Sequence, residues 1–409
     1  MICTLAAFAW ANSPWSGSYF QLLHTKIGFS WNDSKFVLSG DHWINDGLMA
    51  LFFFVVGLEI KRELVVGHLS TMKKAILPVA AAVGGMLLPA FIYIAVNSGK
   101  EGAGGWGIPV ATDIAFALGI LAVLGPRVPV GLKVFLTAVA IADDLGAVLV
   151  IALFYTERIS IGPLIVAGAL LAALALATRR RIGSVMVYGV LVVSVWLAVF
   201  VSGVHATVAG ILVATVVPVR ARIRPKRFFS IARGQLAELE AGNFSGEITK
   251  LNSEQMEALD QLHQATSDVV LAGSAFERCL HPVTTYLILP LFALFNAGVV
   301  IDYKLIHALK HPVGLGVVLG LVIGKQTGIT GTSWMVVQCR LADMPPDLNW
   351  RRIYGAAILA GIGFTMALFI SDLAIQNDQL LGFSKLSILV ASSIYAVGGY
   401  LVLRRNSGS

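Results

Sequence analysis

Residues 134–156 read VFLTAVAIADDLGAVLVIALFYT, and this stretch decides the fold. Its only charges are Asp143 and Asp144, tenth and eleventh of 23 residues. As an α-helix it is about 35 Å long, enough to cross a hydrocarbon core of about 30 Å. The two carboxylates then lie near the midplane, where a charge is costly and marks function.

Working outward, the same ruler finds more spans. Residues 75–99 and 159–178 carry no charge, and 102–126 carry only Asp113. The uncharged run 182–219 has 38 residues, which suits two short crossings turning near Ser202 and Gly203. Residues 279–301, 353–371 and 386–403 carry none, 312–339 carry only Lys325, and 43–58 carry only Asp46 near one end. Residues 1–12 are apolar but about 18 Å long as a helix, too short to span, so they read as the end of a first helix whose start is missing. The expectation is an all-α polytopic membrane protein of about twelve transmembrane helices, with residues 1–409 as one integral membrane domain.

Composition agrees. The chain has 409 residues, 57% apolar and only 13% charged, about half the usual charged share of a soluble domain. Disordered, collagenous, coiled-coil and disulfide-dense classes are excluded. Cys3, Cys279 and Cys339 are too few and too scattered for a disulfide framework or a zinc site. The net charge of +7 fits basic cytoplasmic loops rather than nucleic acid. With the loop 61–74 placed inside, 22 of the 30 lysines and arginines fall inside and 7 outside, leaving Lys325 within the membrane. Both termini are then expected in the cytoplasm. Residues 220–278 form the long cytoplasmic linker, basic at Arg220, Arg222, Arg224, Lys226 and Arg227, then acidic and helix-prone. It reads as a solvated loop.

Asp113, Asp143, Asp144 and Lys325 all sit near the middle of apolar spans. One Asp–Lys pair could be a structural lock, but two carboxylates remain after it. Carboxylate oxygens suit small hard cations, and a carboxylate that takes either a cation or a proton is a minimal exchanger. Asp143 and Asp144 point about 100° apart on a helix, so they divide the work. One can face the ion path while the other faces Lys325. Helix breakers cluster nearby, at residues 105–109 (GWGIP) before Thr112 and Asp113, and at 361–365 (GIGFT). By the loop count these two interrupted helices run in opposite directions.

At these residues the chain resembles the NhaA-type sodium/proton antiporters. The resemblance rests on residues 108–119 (IPVATDIAFALG), 140–155 (AIADDLGAVLVIALFY) and 361–369 (GIGFTMALF), together with 43–64, 202–210, 281–299 and 320–325. It implies inverted repeats and two interrupted helices that cross at the midplane, this family being itself a type example of that architecture. It also implies electrogenic, pH-regulated exchange of two protons for each sodium or lithium ion, across a bacterial inner membrane and without a cofactor. Asp144 would be the principal Na+ or Li+ carboxylate. Asp143 would be its proton-coupled neighbour paired with Lys325. Asp113 and Thr112 would sit at the break and balance helix-end charge. Glu59, Glu63, Glu277 and His281 map to a pH-responsive funnel, and His205 to a further pH-linked position. Residues 18–40 fall where the family has a β-hairpin that joins a homodimer, between the first two helices. Ala142 stands where the family commonly has isoleucine before the aspartate pair.

Another cation-coupled transporter of the same fold stays open as an alternative. An intramembrane enzyme does not, because the Gly-x-Gly-Asp, HExxH and G-x-S-x-G signatures are absent.

Overall fold

The computed structural model describes residues 2–31, 34–156, 159–180, 185–219, 225–241, 253–269, 272–300 and 303–406. Among them, eight helices are long and apolar enough to cross a membrane, and a ninth span is the bent pair Trp350–Ala360 and Phe364–Ala374. The eight are Gly40–Val65, Met72–Asn97, Glu101–Leu124, Val130–Phe154, Ile161–Arg179, Phe276–Asn296, Pro312–Gln338 and Asp378–Arg405. Three shorter apolar helices, Ile2–Ala11, Met186–Val201 and Ala206–Val216, bring the apolar helical segments to the expected twelve. The uncharged run of 182–219 does divide in two, at Ser202 and Gly203, where Gly203 has φ +83°. In lipid, every backbone polar group must be paired within a helix or against protein, which is why these runs fold as helices.

Three boundaries differ from expectation. The first span after the hairpin begins at Gly40, not at residue 43, and opens with a π-helical turn, Trp43–Leu48. Residues 18–24 are helical, within Ser16–His24, because Tyr19 and Leu23 lie one turn apart and bury the same face. The Tyr19 hydroxyl donates to Leu294 O at 2.8 Å. The hairpin is therefore Lys26–Trp31 paired antiparallel with Ser34–Ser39, Lys26 opposite Ser39. The linker is shorter than 220–278, since a span already starts at Phe276. Its described part folds as helices Pro225–Ala241 and Ser253–Val269, packed on each other. The basic opening at Arg220, Arg222 and Arg224 lies outside the described residues, as do 242–252.

Small residues set the closest approaches around the centre. A Cβ on Gly324 would lie 2.7 Å from Pro89 Cα, and one on Gly320 2.7 Å from Pro109 Cβ. Helix Pro312–Gln338 therefore seats against Met72–Asn97 and the Glu101–Val110 half-helix with no room for a side chain at either point. Pro89, inside Met72–Asn97, sits where this seam passes.

Candidate functional site

Two helices break at the centre of the bundle. A 3-10 segment, Glu101–Val110, ends in extended backbone at residues 111–113 before helix Ile114–Leu124 begins. Across from it, Trp350–Ala360 ends and Phe364–Ala374 starts after a bend of 45°. Glycine and proline explain both interruptions: Pro109 lacks an N–H, and Gly361 to Gly363 leave the backbone unrestrained. Among the buried polar residues are Thr112 (0% exposed), Asp113 (2%), Asp143 (0%), Asp144 (1%), Lys325 (0%) and Thr365 (3%).

The two breaks are joined by hydrogen bonds. Asp113 N–H donates to Ile362 O at 2.7 Å. Asp113 Oδ1 accepts from Phe116 N–H at 3.1 Å and so caps the helix that follows. Its Oδ2 accepts from the Thr365 N–H at 3.1 Å and from the Thr365 hydroxyl. One carboxylate thus answers the partial positive charge of both helix N-termini. Thr365 is a site residue that charge spacing could not find; its signal was a hydroxyl just after a break, as Thr112 lies just before Asp113.

Helix Val130–Phe154 brings in the aspartate pair. Asp143 Oδ2 holds Lys325 Nζ in an ion pair buried on both sides and also lies 2.6 Å from the Thr112 hydroxyl. That hydroxyl is 2.7 Å from Ala360 O as well. Thr112 has one proton to give, so it serves either the carboxylate or the carbonyl that ends the other half-helix. The other oxygen of Asp143, Oδ1, is buried with no hydrogen-bond partner, and so is Asp144 Oδ1. Asp144 lies in electrostatic range of Asp143, Glu59, Asp113 and Lys325. Asp143 is thus bound to lysine and threonine through Oδ2 alone, and each aspartate of the pair keeps one buried oxygen without a partner. A buried carboxylate oxygen without a donor is a vacant ligand for a hard cation or a proton.

Such a crossing has the architecture of a secondary transporter, and the comparisons agree. Residues 1–403 match the family described as Na+/H+ antiporter 1. The chain belongs to that family. It is 44% identical over 404 residues to the Na(+)/H(+) antiporter NhaA of Oleidesulfovibrio alaskensis, covering 99% of this chain and 90% of that protein. Na(+)/H(+) antiporter NhaA 1 of Saccharophagus degradans is 42% identical, covering 100% and 88%. The Sulfurimonas denitrificans Na(+)/H(+) antiporter NhaA is 44% identical, covering 99% and 91%. This antiporter-family chain is accordingly a multi-pass membrane protein with a two-stranded sheet between its first helices.

The acidic residues mapped to pH response gather only in part. Arg62 Nη1 lies 3.0 Å from Glu277 Oε1, and Arg62 Nη2 lies 3.6 Å from Glu63 Oε1. Arg62 is thus the cation at the centre of this cluster. Glu59 lies one turn before Glu63 on helix Met49–Val65. His281 is one turn after Glu277 and exposed. His205 is elsewhere. Its Nε2 is 3.7 Å from Asp46 Oδ1, at the opposite end of the same span, and its ring stands edge-on to Phe369 at 5.6 Å. Spacing between charges also hid a second inward pair: Lys385 Nζ lies 2.7 Å from Asp372 Oδ1, with side chains 15% and 16% exposed. Both residues belong to helix ends by sequence, but the fold turns them inward together.

Proposed function

We propose that this chain exchanges sodium or lithium ions for protons across the bacterial inner membrane. Asp144 is the principal cation carboxylate, with Asp143 beside it as the second oxygen donor and proton carrier. The observation that carries this reading is that adjacent Asp143 and Asp144 each keep a buried Oδ1 without a hydrogen-bond partner, while Asp143 Oδ2 is committed to Lys325 and Thr112. A carboxylate without donors is stabilised by a cation or by a proton, and the two compete for one place. That competition is the exchange step. Asp113, Thr112 and Thr365 hold the crossing together and need not touch the ion.

The protein works as a transporter, without catalysing a covalent reaction. Two protons per sodium make the exchange electrogenic. Arg62, Glu59, Glu63, Glu277 and His281 form one pH-responsive group and His205 a separate one. Both termini and the linker that ends before Phe276 face the cytoplasm, and the hairpin joins two copies into a homodimer.

The test uses proteoliposomes with a preset pH gradient. Sodium added without any organic solute is expected to dissipate it, and a potential-sensitive dye to report net charge movement. A gradient that sodium leaves intact overturns the antiport reading. Sodium-driven proton movement with no charge movement overturns the stoichiometry alone.

A further inference from the structure

Lys325 closes a π-helical turn, Gly320–Lys325. In an α-helix the Gln326 N–H would bond to Val322 O. Here it goes to Ile323 O, and Val322 O accepts the phenol hydroxyl of Tyr395, from the last helix, Asp378–Asn406. The Tyr395 hydroxyl also lies 3.0 Å from the Gln326 side-chain amide, whose other end lies 3.0 Å from the Tyr354 hydroxyl on Trp350–Ala360. A phenol has one proton, and Val322 O takes it. The chain is satisfied when the Gln326 amide donates to Tyr395 and accepts from Tyr354, since amide oxygen and nitrogen are assigned from their partners.

The Tyr395 ring has a second contact. It fills the space over Gly361, where any Cβ would collide with it. Gly361 is the first residue of the break that Asp113 and Thr112 bind. One buried tyrosine, 3% exposed, therefore touches both the break and the turn that carries Lys325.

We propose that Tyr395, with Gln326, is a positioning residue for the Lys325–Asp143 pair. It holds the π-turn open and carries movement of the break at Gly361 to Lys325. Without the hydroxyl, Val322 O is unpaired in an apolar interior, and the nearest remedy is to accept Gln326 N–H and close an α-turn. That step adds one residue's worth of winding, about 100°, between Lys325 and the helix before it. The lysine is then aimed away from Asp143. Tyr395 touches neither the carboxylates nor the cation. The inference rests on the exchange reading above only for its transport readout.

The experiment compares wild type, Tyr395→Phe, Lys325→Ala and the double variant. Sodium-driven proton exchange is measured in proteoliposomes and melting in detergent. Tyr395→Phe keeps the ring over Gly361 and loses only the hydroxyl. It is expected to lower turnover about three- to tenfold with the sodium KM unchanged. Added to Lys325→Ala, it is expected to cost nothing further in exchange, and its melting loss is expected to shrink there. Wild-type turnover in Tyr395→Phe, a change confined to KM, or a melting loss that adds in full to that of Lys325→Ala overturns the proposal. Inactive wild-type liposomes overturn the antiport reading instead, and the melting cycle then decides on Tyr395 alone.

Discussion

Asp113 accepts the backbone N–H of Thr365 at 3.1 Å, so one carboxylate caps the helix that follows each of the two breaks. The bond spans 252 residues of sequence and fastens the two interrupted helices to each other. Asp113→Ala removes the acceptor for Phe116 N–H, Thr365 N–H and the Thr365 hydroxyl together. A hydrogen bond to a charged group contributes about 1.5–3 kcal/mol, and leaving several donors buried costs more. Asp113→Ala is therefore expected to lower the melting temperature in detergent, and by more than Asp144→Ala does. Asp113→Asn, which keeps one acceptor oxygen, is expected to recover part of the loss. Equal melting of wild type and Asp113→Ala would remove the capping role.

Asp144 should behave in the opposite way. Its Oδ1 has no donor to lose, and its burial is costly to an ionised group. Asp144→Asn is expected to abolish sodium-driven exchange while leaving melting at or above the wild-type value. Sodium is expected to raise the melting temperature of wild type and not of Asp144→Asn, because a ligand stabilises only the state that binds it. Retained salt resistance in a sodium-sensitive host lacking other antiporters would sink the assignment.

Lys325 and Asp143 form a pair with both side chains fully buried. Removing one partner of such a pair leaves an uncompensated charge and costs about 3–5 kcal/mol. Lys325→Ala is expected to lower stability by that order, measured by thermal melting, with sodium KM less affected than turnover. Replacing both, Lys325→Ala with Asp143→Ala, is expected to regain much of the loss, since no charge is then stranded. A double variant that melts below Lys325→Ala contradicts the pairing account.

The sequence made the centre legible because a charge in an apolar span has few reasons to be there. Asp113, Asp143, Asp144 and Lys325 stood out by position alone, and the glycines and prolines beside them marked both breaks. Thr365 and Tyr395 did not stand out, because hydroxyls are common in membrane helices and only the fold reveals which ones meet a carboxylate or a freed carbonyl. The π-turns at Trp43–Leu48 and Gly320–Lys325 were invisible for a related reason: they depend on what packs against the helix, not on its own residues. Asp372 and Lys385 escape the same logic that finds the others. Each lies near the end of an uncharged run, where a charge normally reaches water, yet the short connection between their helices folds them onto each other.

The residues proposed for pH response fall into two groups that should act independently, one of them around Arg62. Arg62 holds Glu277 at 3.0 Å and Glu63 at 3.6 Å at one end of the span Gly40–Val65. His205 faces Asp46 at the other end, 13 residues before Glu59 and about 20 Å away along the helix. Sites that far apart with no shared partner usually have additive effects. Arg62→Ala is expected to shift the pH profile of exchange while keeping the maximal rate, because it releases Glu277 and Glu63 without touching the central carboxylates. Reversing the pair, Arg62→Glu with Glu277→Arg, is expected to restore part of the wild-type profile. His205→Ala is expected to shift the profile by the same amount whether or not Arg62 is present. Measured profiles of the two single variants and the double variant decide this. A His205→Ala shift that vanishes in the Arg62→Ala background means that one connected sensor runs the length of the helix and the two groups are one.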